Sequence, residues 1–147
     1  MGQGSEGTRV ALIVEDDKEL RALAVALLEE TDLQVVEASS AEEALQYLRY
    51  NAGDVAFLFS DVRLPSLMDG VDLARTVRLK WPWIKTVLTS GAPLEEDLDK
   101  ALRQVRFMPK PWRALEVLME AEKAVKSSDF EETALRSHAE VFGALRA

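Results

Sequence analysis

The chain has no cysteine, so disulfides and thiolate metal sites are excluded and an intracellular, reducing compartment fits. It has one histidine, His138, far along the chain, so a zinc centre is poorly supported. Positive charge is in short supply. Lys and Arg number 18 against 26 Asp and Glu, for a net charge of −8. Such a surface repels a phosphate backbone, so direct binding to nucleic acid is not expected. No apolar run approaches a membrane span, and the N-terminus lacks the basic-then-apolar form of a signal peptide. The expectation is therefore a cytoplasmic protein. Glycine and proline are few, 7 and 5 in 147 residues, so each marks a boundary. There is no internal repeat and no low-complexity tract.

A length of 147 residues suits one domain with a buried core and is short for two. Residues 1–8, rich in Gly and Ser, read as a flexible leader. Arg9 to Val14 is an apolar run that stops abruptly at Glu15-Asp16-Asp17 and reads as a buried strand. Leu20, Leu23, Ala24, Leu27 and Leu28 follow at helical spacing. "LQVVEA" is a second strand. Ser40 with Glu43 forms a capping box for the next helix. "DVAFLFS" is a third strand, leading into Asp61. A helix from Gly70 to Trp81 ends before Pro82. "IKTVLTS" is a fourth strand, "PLEEDLDKALRQ" an acidic helix and "VRFMP" a fifth strand. "WRALEVLMEAEKAV" is a helix with Leu115, Leu118 and Val125 on its apolar face.

Five strands alternating with five helices imply right-handed crossovers and a parallel sheet covered on both faces. The expected fold class is α/β, doubly wound, with strand order 2-1-3-4-5, plus a C-terminal helix. Ligands in such sheets sit beyond the carboxyl ends of the strands, where strand order reverses. Glu15, Asp16 and Asp17 end the first strand there, and Asp61 ends the third. Carboxylates so close need a proton or a cation among them. Oxygen ligands without His or Cys suit Mg²⁺. Thr89 and Ser90 end the fourth strand and Lys110 ends the fifth. A carboxylate nucleophile, a hard cation, a hydroxyl and an ammonium together describe a site that accepts a phosphoryl group.

These segments, "LIVEDD", "SDVRLP", "MDG", "TSG" and "PKPW", resemble in order and spacing the receiver domain of two-component response regulators, the CheY-like modules. The resemblance covers about Arg9 to Val125. It implies that Asp61 is the phosphoacceptor. It implies that Glu15, Asp16, Asp61 and the backbone carbonyl of Arg63 hold Mg²⁺, with Asp17 in the first helical turn. It makes Ser90 the switch hydroxyl, with Thr89 as the alternative one residue earlier. Lys110 becomes the phosphate-facing lysine, before a cis Lys110–Pro111 bond. Phe107 occupies the switch aromatic position and reads equally as a plain core aromatic. The family implies a sensor histidine kinase or histidine phosphotransfer protein as donor. It implies a downstream protein target on the face formed by the fourth helix, fifth strand and fifth helix.

The chain departs from the family in four places, one of them the bulky, cationic Arg63 beside the site, read as a solvated side chain. From Asp61 to Gly70 is nine positions, one more than usual. Trp112 stands where phenylalanine is commoner, and "WPW" has an unusual second tryptophan, Trp83. The expected organisation is a leader over 1–8, a receiver over 9–126 and a helical extension over 127–147. The extension reads equally as a helix packing back on the domain or as a dimer helix or linker. It is too short for a DNA-binding domain, so a stand-alone regulator is expected, or a receiver excised from a larger chain such as a hybrid kinase. His138 reads as a surface or packing residue. A Mg²⁺-dependent phosphatase of the haloacid dehalogenase type is disfavoured. It should show Asp-x-Asp at the end of the first strand and a cap insertion, and Glu-Asp-Asp stands here with no cap. A receiver that binds partners without phosphorylation is disfavoured by the complete set of polar residues.

Overall fold

Five apolar runs set the frame of the molecule. In the computed structural model, which describes residues 9–92 and 102–127, they form one parallel sheet. The strands are β1 (Val10–Val14), β2 (Gln34–Ala38), β3 (Val55–Asp61), β4 (Lys85–Ser90) and β5 (Arg106–Pro109). Their order is β2-β1-β3-β4-β5, as expected. Every residue of β1 and β3 is buried, which is why these strands show no alternation of polar and apolar residues. The flanking β2 and β5 are only partly buried and carry charge.

The helices among the described residues are α1 (Lys18–Leu28), α2 (Ala41–Asn51), α3 (Gly70–Lys80) and α4 (Ala114–Val125). Residues 93–101, most of the acidic helix expected before β5, lie outside the described residues, as does the expected extension from 128 onward. No helix among the described residues is long and apolar enough to cross a membrane.

Local chemistry explains the helix starts. Asp17 is the N-cap of α1 and accepts from the amides of Glu19 and Leu20, so it stands one step before the first turn. Ser40 caps α2 through the Glu43 amide, but the Glu43 carboxylate reaches back to the amide of Ser39 instead of Ser40. The complete reciprocal box is at α3, between Asp69 and Asp72. Two aspartates do there what the usual pattern assigns to Ser or Thr with Glu, which is why it escaped the sequence reading.

The apolar core fills both faces of the sheet, with Phe57, Leu12, Ile13 and Leu58 at its centre. A second cluster, Val62, Val71, Ala74, Leu88, Leu102 and Val105, lies under α3. Trp83 belongs to the main cluster, and its indole donates to the Ala52 carbonyl at 3.1 Å. The second tryptophan of "WPW" is therefore an anchor between the α3–β4 loop and the turn before β3.

Two helix faces differ from expectation. In α1 the buried positions are Ala24 and Leu28, while Leu23 is 57% exposed. In α4 the buried face is Val117, Glu120, Ala121 and Ala124, and Leu115 is 68% exposed. Leu118 and Val125 are only partly buried. Small residues let α4 approach the sheet closely, and a buried glutamate is invisible to a count of apolar residues.

Glu120 is tolerated there because cations surround it. Lys85 Nζ lies 3.0 Å away, Arg106 Nη1 2.8 Å and Lys123 Nζ 3.3 Å, with Glu116 on the far side of Arg106. Burial would raise the Glu120 carboxyl, but the hydrogen bonds and charges of Lys85 and Lys123 outweigh it and hold it below its ordinary value of 4.5. A depressed carboxylate contributes stability above its unfolded value and loses it as pH falls through the folded value. Glu120→Gln is accordingly expected to lose about 2 kcal/mol at neutral pH, less than for a fully buried pair because the cations keep contact with solvent. The deficit should shrink below about pH 4. Urea melts at both pH values check this; an equal deficit at each would refute it.

Candidate functional site

β1 and β3 are neighbours with Val14 paired to Ser60, so the residue after each faces the same rim. Glu15 and Asp61 meet there, and Asp16 joins them. One carboxylate oxygen from each of the three lies within 4.8 Å of the others. Glu15 is 3% exposed and Asp61 8%, whereas Asp16 is open to solvent. Lys110 reaches across from the end of β5. Its Nζ donates to Asp61 Oδ2 at 2.8 Å and to Glu15 Oε1 at 3.3 Å. The Lys110–Pro111 bond is cis.

Burial pushes the Glu15 carboxyl up and the Asp61 charge adds to it; the Asp17 amide and Lys110 offset only part. Burial would lower the Lys110 ammonium, but the hydrogen bonds and charges of Asp61 and Glu15 hold it above its ordinary value. Among the described residues Lys110 is the ammonium that pairs with two of the three carboxylates, Glu15 and Asp61. The donor set is all oxygen, crowded and partly open, and it fits a hard divalent ion that keeps some of its waters.

Replacing Lys110 with methionine removes the one ammonium from this cluster. Folding without Mg²⁺ should weaken by about 2 kcal/mol, because two buried carboxylates lose their partner. Mg²⁺ affinity should rise about tenfold, because the competing positive charge is gone. Calorimetric titration and urea melts with and without Mg²⁺ read both effects. Unchanged or weaker Mg²⁺ binding would contradict this reading of Lys110.

The hydroxyls are placed differently from one another. Thr89 is buried and stands in register with Asp61. Ser90 is at the strand end, where its hydroxyl donates to the Ala92 carbonyl at 2.7 Å. Among the described residues no hydrogen bond joins Ser90 to Asp61. The amide of Lys110 donates to the Ser90 carbonyl at 2.9 Å, which ties the two strand ends together. Arg63 donates its amide to Asp61 Oδ1 at 3.1 Å, and its side chain is exposed. Phe107 is half-buried against the cluster under α3. Trp112 packs edge-on against Phe59 with ring centroids 5.2 Å apart, and its buried indole N–H has no acceptor among the described residues.

In the longer loop after Asp61, Ser66 has a φ of 81°, a left-handed conformation unusual for a residue with a side chain. The next residue, Leu67, is 99% exposed. Met68 returns the loop to the domain by donating its amide to Glu42 Oε2 at 3.3 Å.

Two residues at the site were not given a role from sequence. Arg21 donates from Nη1 to the Glu15 carbonyl at 2.7 Å and pairs with Glu37 through Nε at 3.2 Å. It pins the backbone that carries the acidic pair, and nothing in its spacing marks it. Gly70, the first residue of α3, lies against the backbone of Asp61: a Cβ there would stand 1.9 Å from the Asp61 carbonyl oxygen. The signal for Gly70 was present in "MDG", but not its reason.

Comparison with known proteins agrees with this geometry. A family model described as the response regulator receiver domain matches residues 11–122. Sensor kinase CckA of Brucella abortus is 31% identical over 126 residues, covering 84% of this chain and 13% of the kinase. The transcriptional regulatory protein CpxR of Escherichia coli K12 is 29% identical, covering 82% of this chain and 51% of CpxR. The chain thus spans about half of CpxR and about an eighth of the kinase. Among solved structures, the receiver domain of hybrid histidine kinase CckA superposes with a TM-score of 0.66 at 29% identity, covering 80% of this chain and 99% of that one. The signal receiver domain of an HD domain-containing protein from Pseudomonas fluorescens Pf-5 gives 0.71 at 25% identity, covering 81% and 95%. With its sheet order and the acidic rim in the matched segment, the chain belongs to the response regulator receiver domain family of two-component signalling.

Proposed function

We propose that the chain is a phosphorylation switch in which Asp61 takes a phosphoryl group from a partner phosphohistidine. The observation that carries this is the convergence of Glu15, Asp16, Asp61 and Lys110 at one rim. An oxygen of Asp61 attacks phosphorus, the phosphorus–nitrogen bond of the donor breaks, and the imidazole leaves with the electron pair and is protonated. Glu15, Asp16, Asp61 and the Arg63 carbonyl would hold Mg²⁺, which when bound neutralises charge on the transferring oxygens. Lys110 is already within hydrogen-bond distance of the acceptor and would move from carboxylate to phosphoryl oxygen. Ser90 would exchange its bond to Ala92 for one to the phosphoryl group and draw the loop after β4 with it. Phe107 would follow, reweighting two pre-existing states.

The donor is a sensor histidine kinase or a histidine phosphotransfer protein, and the target is a protein bound on the side of β5 and α4. On this reading residues 9–126 are the receiver, 1–8 a leader and 127–147 an extension. The domain is a cytoplasmic signalling module that promotes its own phosphorylation and dephosphorylation. A receiver carried within a larger kinase chain is the second reading, favoured by the likeness to CckA.

The test is to incubate the protein with Mg²⁺ and acetyl phosphate, read the intact mass, and map the acyl phosphate after borohydride reduction. One phosphoryl group on the peptide that contains Asp61 is expected. No uptake, or uptake mapped to another residue, would refute the proposal.

A further inference from the structure

Arg21 stands where helix stability does not call for it. It is the fourth residue of α1, close to the positive end of the helix dipole, where a cation is unfavourable. What it reaches explains its place. Helix side chains lean toward the N-terminus, so the guanidinium comes back over the segment that enters α1. There Nη1 donates to the Glu15 carbonyl at 2.7 Å. This bond replaces a rung of the sheet. The Glu15 amide still donates to the Ala38 carbonyl at 3.1 Å, but β2 ends at Ala38, and the Glu15 carbonyl takes its hydrogen bond from Arg21. Glu37, exposed on the edge strand β2, holds the guanidinium in line through Nε at 3.2 Å and offsets its charge. The Glu15 carbonyl belongs to the rigid peptide plane that leads into Asp16. Asp16 is open to solvent, so this plane, and not packing, aims its carboxylate toward Glu15 and Asp61.

We propose that Arg21 and Glu37 are positioning residues for the cation: they fix the Glu15–Asp16 peptide and thereby sharpen the rim's preference for Mg²⁺ over Ca²⁺. This rests on the reading of the rim as a Mg²⁺ site. Mg²⁺ demands near-octahedral ligands at short distance, whereas Ca²⁺ accepts a larger and looser set. A rim whose Asp16 carboxylate is poorly aimed therefore loses Mg²⁺ first. Charge alone gives the opposite result. Removing a cation from beside three carboxylates tightens a divalent ion, and it acts on both ions alike because they carry the same charge. Sign and selectivity thus separate positioning from electrostatics, and a role in folding alone moves neither.

The test is a set of MgCl₂ and CaCl₂ titrations of the full chain at constant ionic strength, read by calorimetry and tryptophan fluorescence. Arg21→Met should weaken Mg²⁺ binding about tenfold and Ca²⁺ binding less than about threefold. Arg21→Lys keeps the charge but not the fork that makes both bonds, so it should fall between the wild type and Arg21→Met. Glu37→Ala should shift the ratio of the two affinities in the same direction and by less. Urea melts without either ion show whether each variant folds. If Arg21→Met does not, Glu37→Ala, at an exposed position, carries the test. Unchanged or tighter Mg²⁺ binding in Arg21→Met, or equal losses for the two ions, would overturn the inference. So would a wild-type ratio in Glu37→Ala. A wild type that binds neither ion would instead refute the reading of the rim, and the inference with it.

Discussion

Asp61→Asn should take up phosphoryl groups at least about a hundredfold more slowly than the wild type, if at all, while keeping its fold. The amide keeps the shape of the carboxylate. Its oxygen can still accept from the Arg63 amide, which meets Oδ1 at 3.1 Å in the native site. What goes is the charge and the nucleophilic oxygen, since an amide shares its lone pair and attacks phosphorus poorly. Lys110 loses its 2.8 Å bond to Asp61 and keeps the 3.3 Å bond to Glu15. One carboxylate fewer among three also weakens the hold on a divalent cation. The variant should therefore gain less stability from Mg²⁺ than the wild type does, as read by urea melts with and without the ion. Trp112 packs on Phe59, two residues before Asp61 on the same strand face, so tryptophan fluorescence reports from beside the site. A phosphodonor should change that signal in the wild type and leave Asp61→Asn unmoved. Equal labelling of the two proteins would remove Asp61 from its proposed role.

The parallel sheet was legible because its strands obey a simple rule. Strands buried on both faces read as apolar runs, and β1 and β3 do so up to Ser60 and Asp61 at the end of β3. The rim was legible for the same reason: Glu15 and Asp61 interrupt that pattern where a buried strand should not carry charge. Helix faces were read less well. Spacing identified α4 as a helix but chose Leu115 and Leu118 for its buried side, while the sheet took Val117, Ala121 and Ala124. Larger apolar residues attract the assignment, yet close packing on a sheet favours small ones. Glu120 compounds the difficulty, because its burial depends on Lys85 and Arg106, which come from two other elements. Charge networks between elements distant in sequence leave no periodic trace.

Site geometry had the same limit. Which residues meet at the rim follows from strand order, so Glu15, Asp16, Asp61 and Lys110 were found together. How each is held does not follow. Arg21 sits six positions from Glu15 and reaches its carbonyl by a path that only the fold defines. Ser90 was correctly located at the end of β4, but its bond to Ala92 is a property of this conformation and not of the sequence pattern.

Gly70 is where local propensity and tertiary packing give opposite answers, and Gly70→Ala measures which prevails. In a free helix, alanine for glycine is favourable by about 1 kcal/mol. Gly70 opens α3 and is buried, however, and its amide donates to the Val62 carbonyl at 2.8 Å. A Cβ would stand 1.9 Å from the Asp61 carbonyl oxygen, 2.8 Å from the Asp61 carbonyl carbon and 2.9 Å from the Val62 Cα. All three obstacles are backbone, so no side chain can rotate away. Either the start of α3 withdraws or the end of β3 is pushed outward. Overpacking of this kind costs about 3 kcal/mol, which exceeds the gain in propensity. The displaced segment carries Asp61 itself, and a shift of about 1 Å in a reacting group costs roughly a hundredfold in rate. The expected variant is folded, with a lower urea midpoint and phosphoryl uptake slowed far beyond what its unfolded fraction explains. Gly70→Ser should behave alike, because the clash begins at Cβ. A raised or unchanged midpoint with normal uptake would mean that the helix start yields freely. The close approach of α3 would then play no part in holding Asp61.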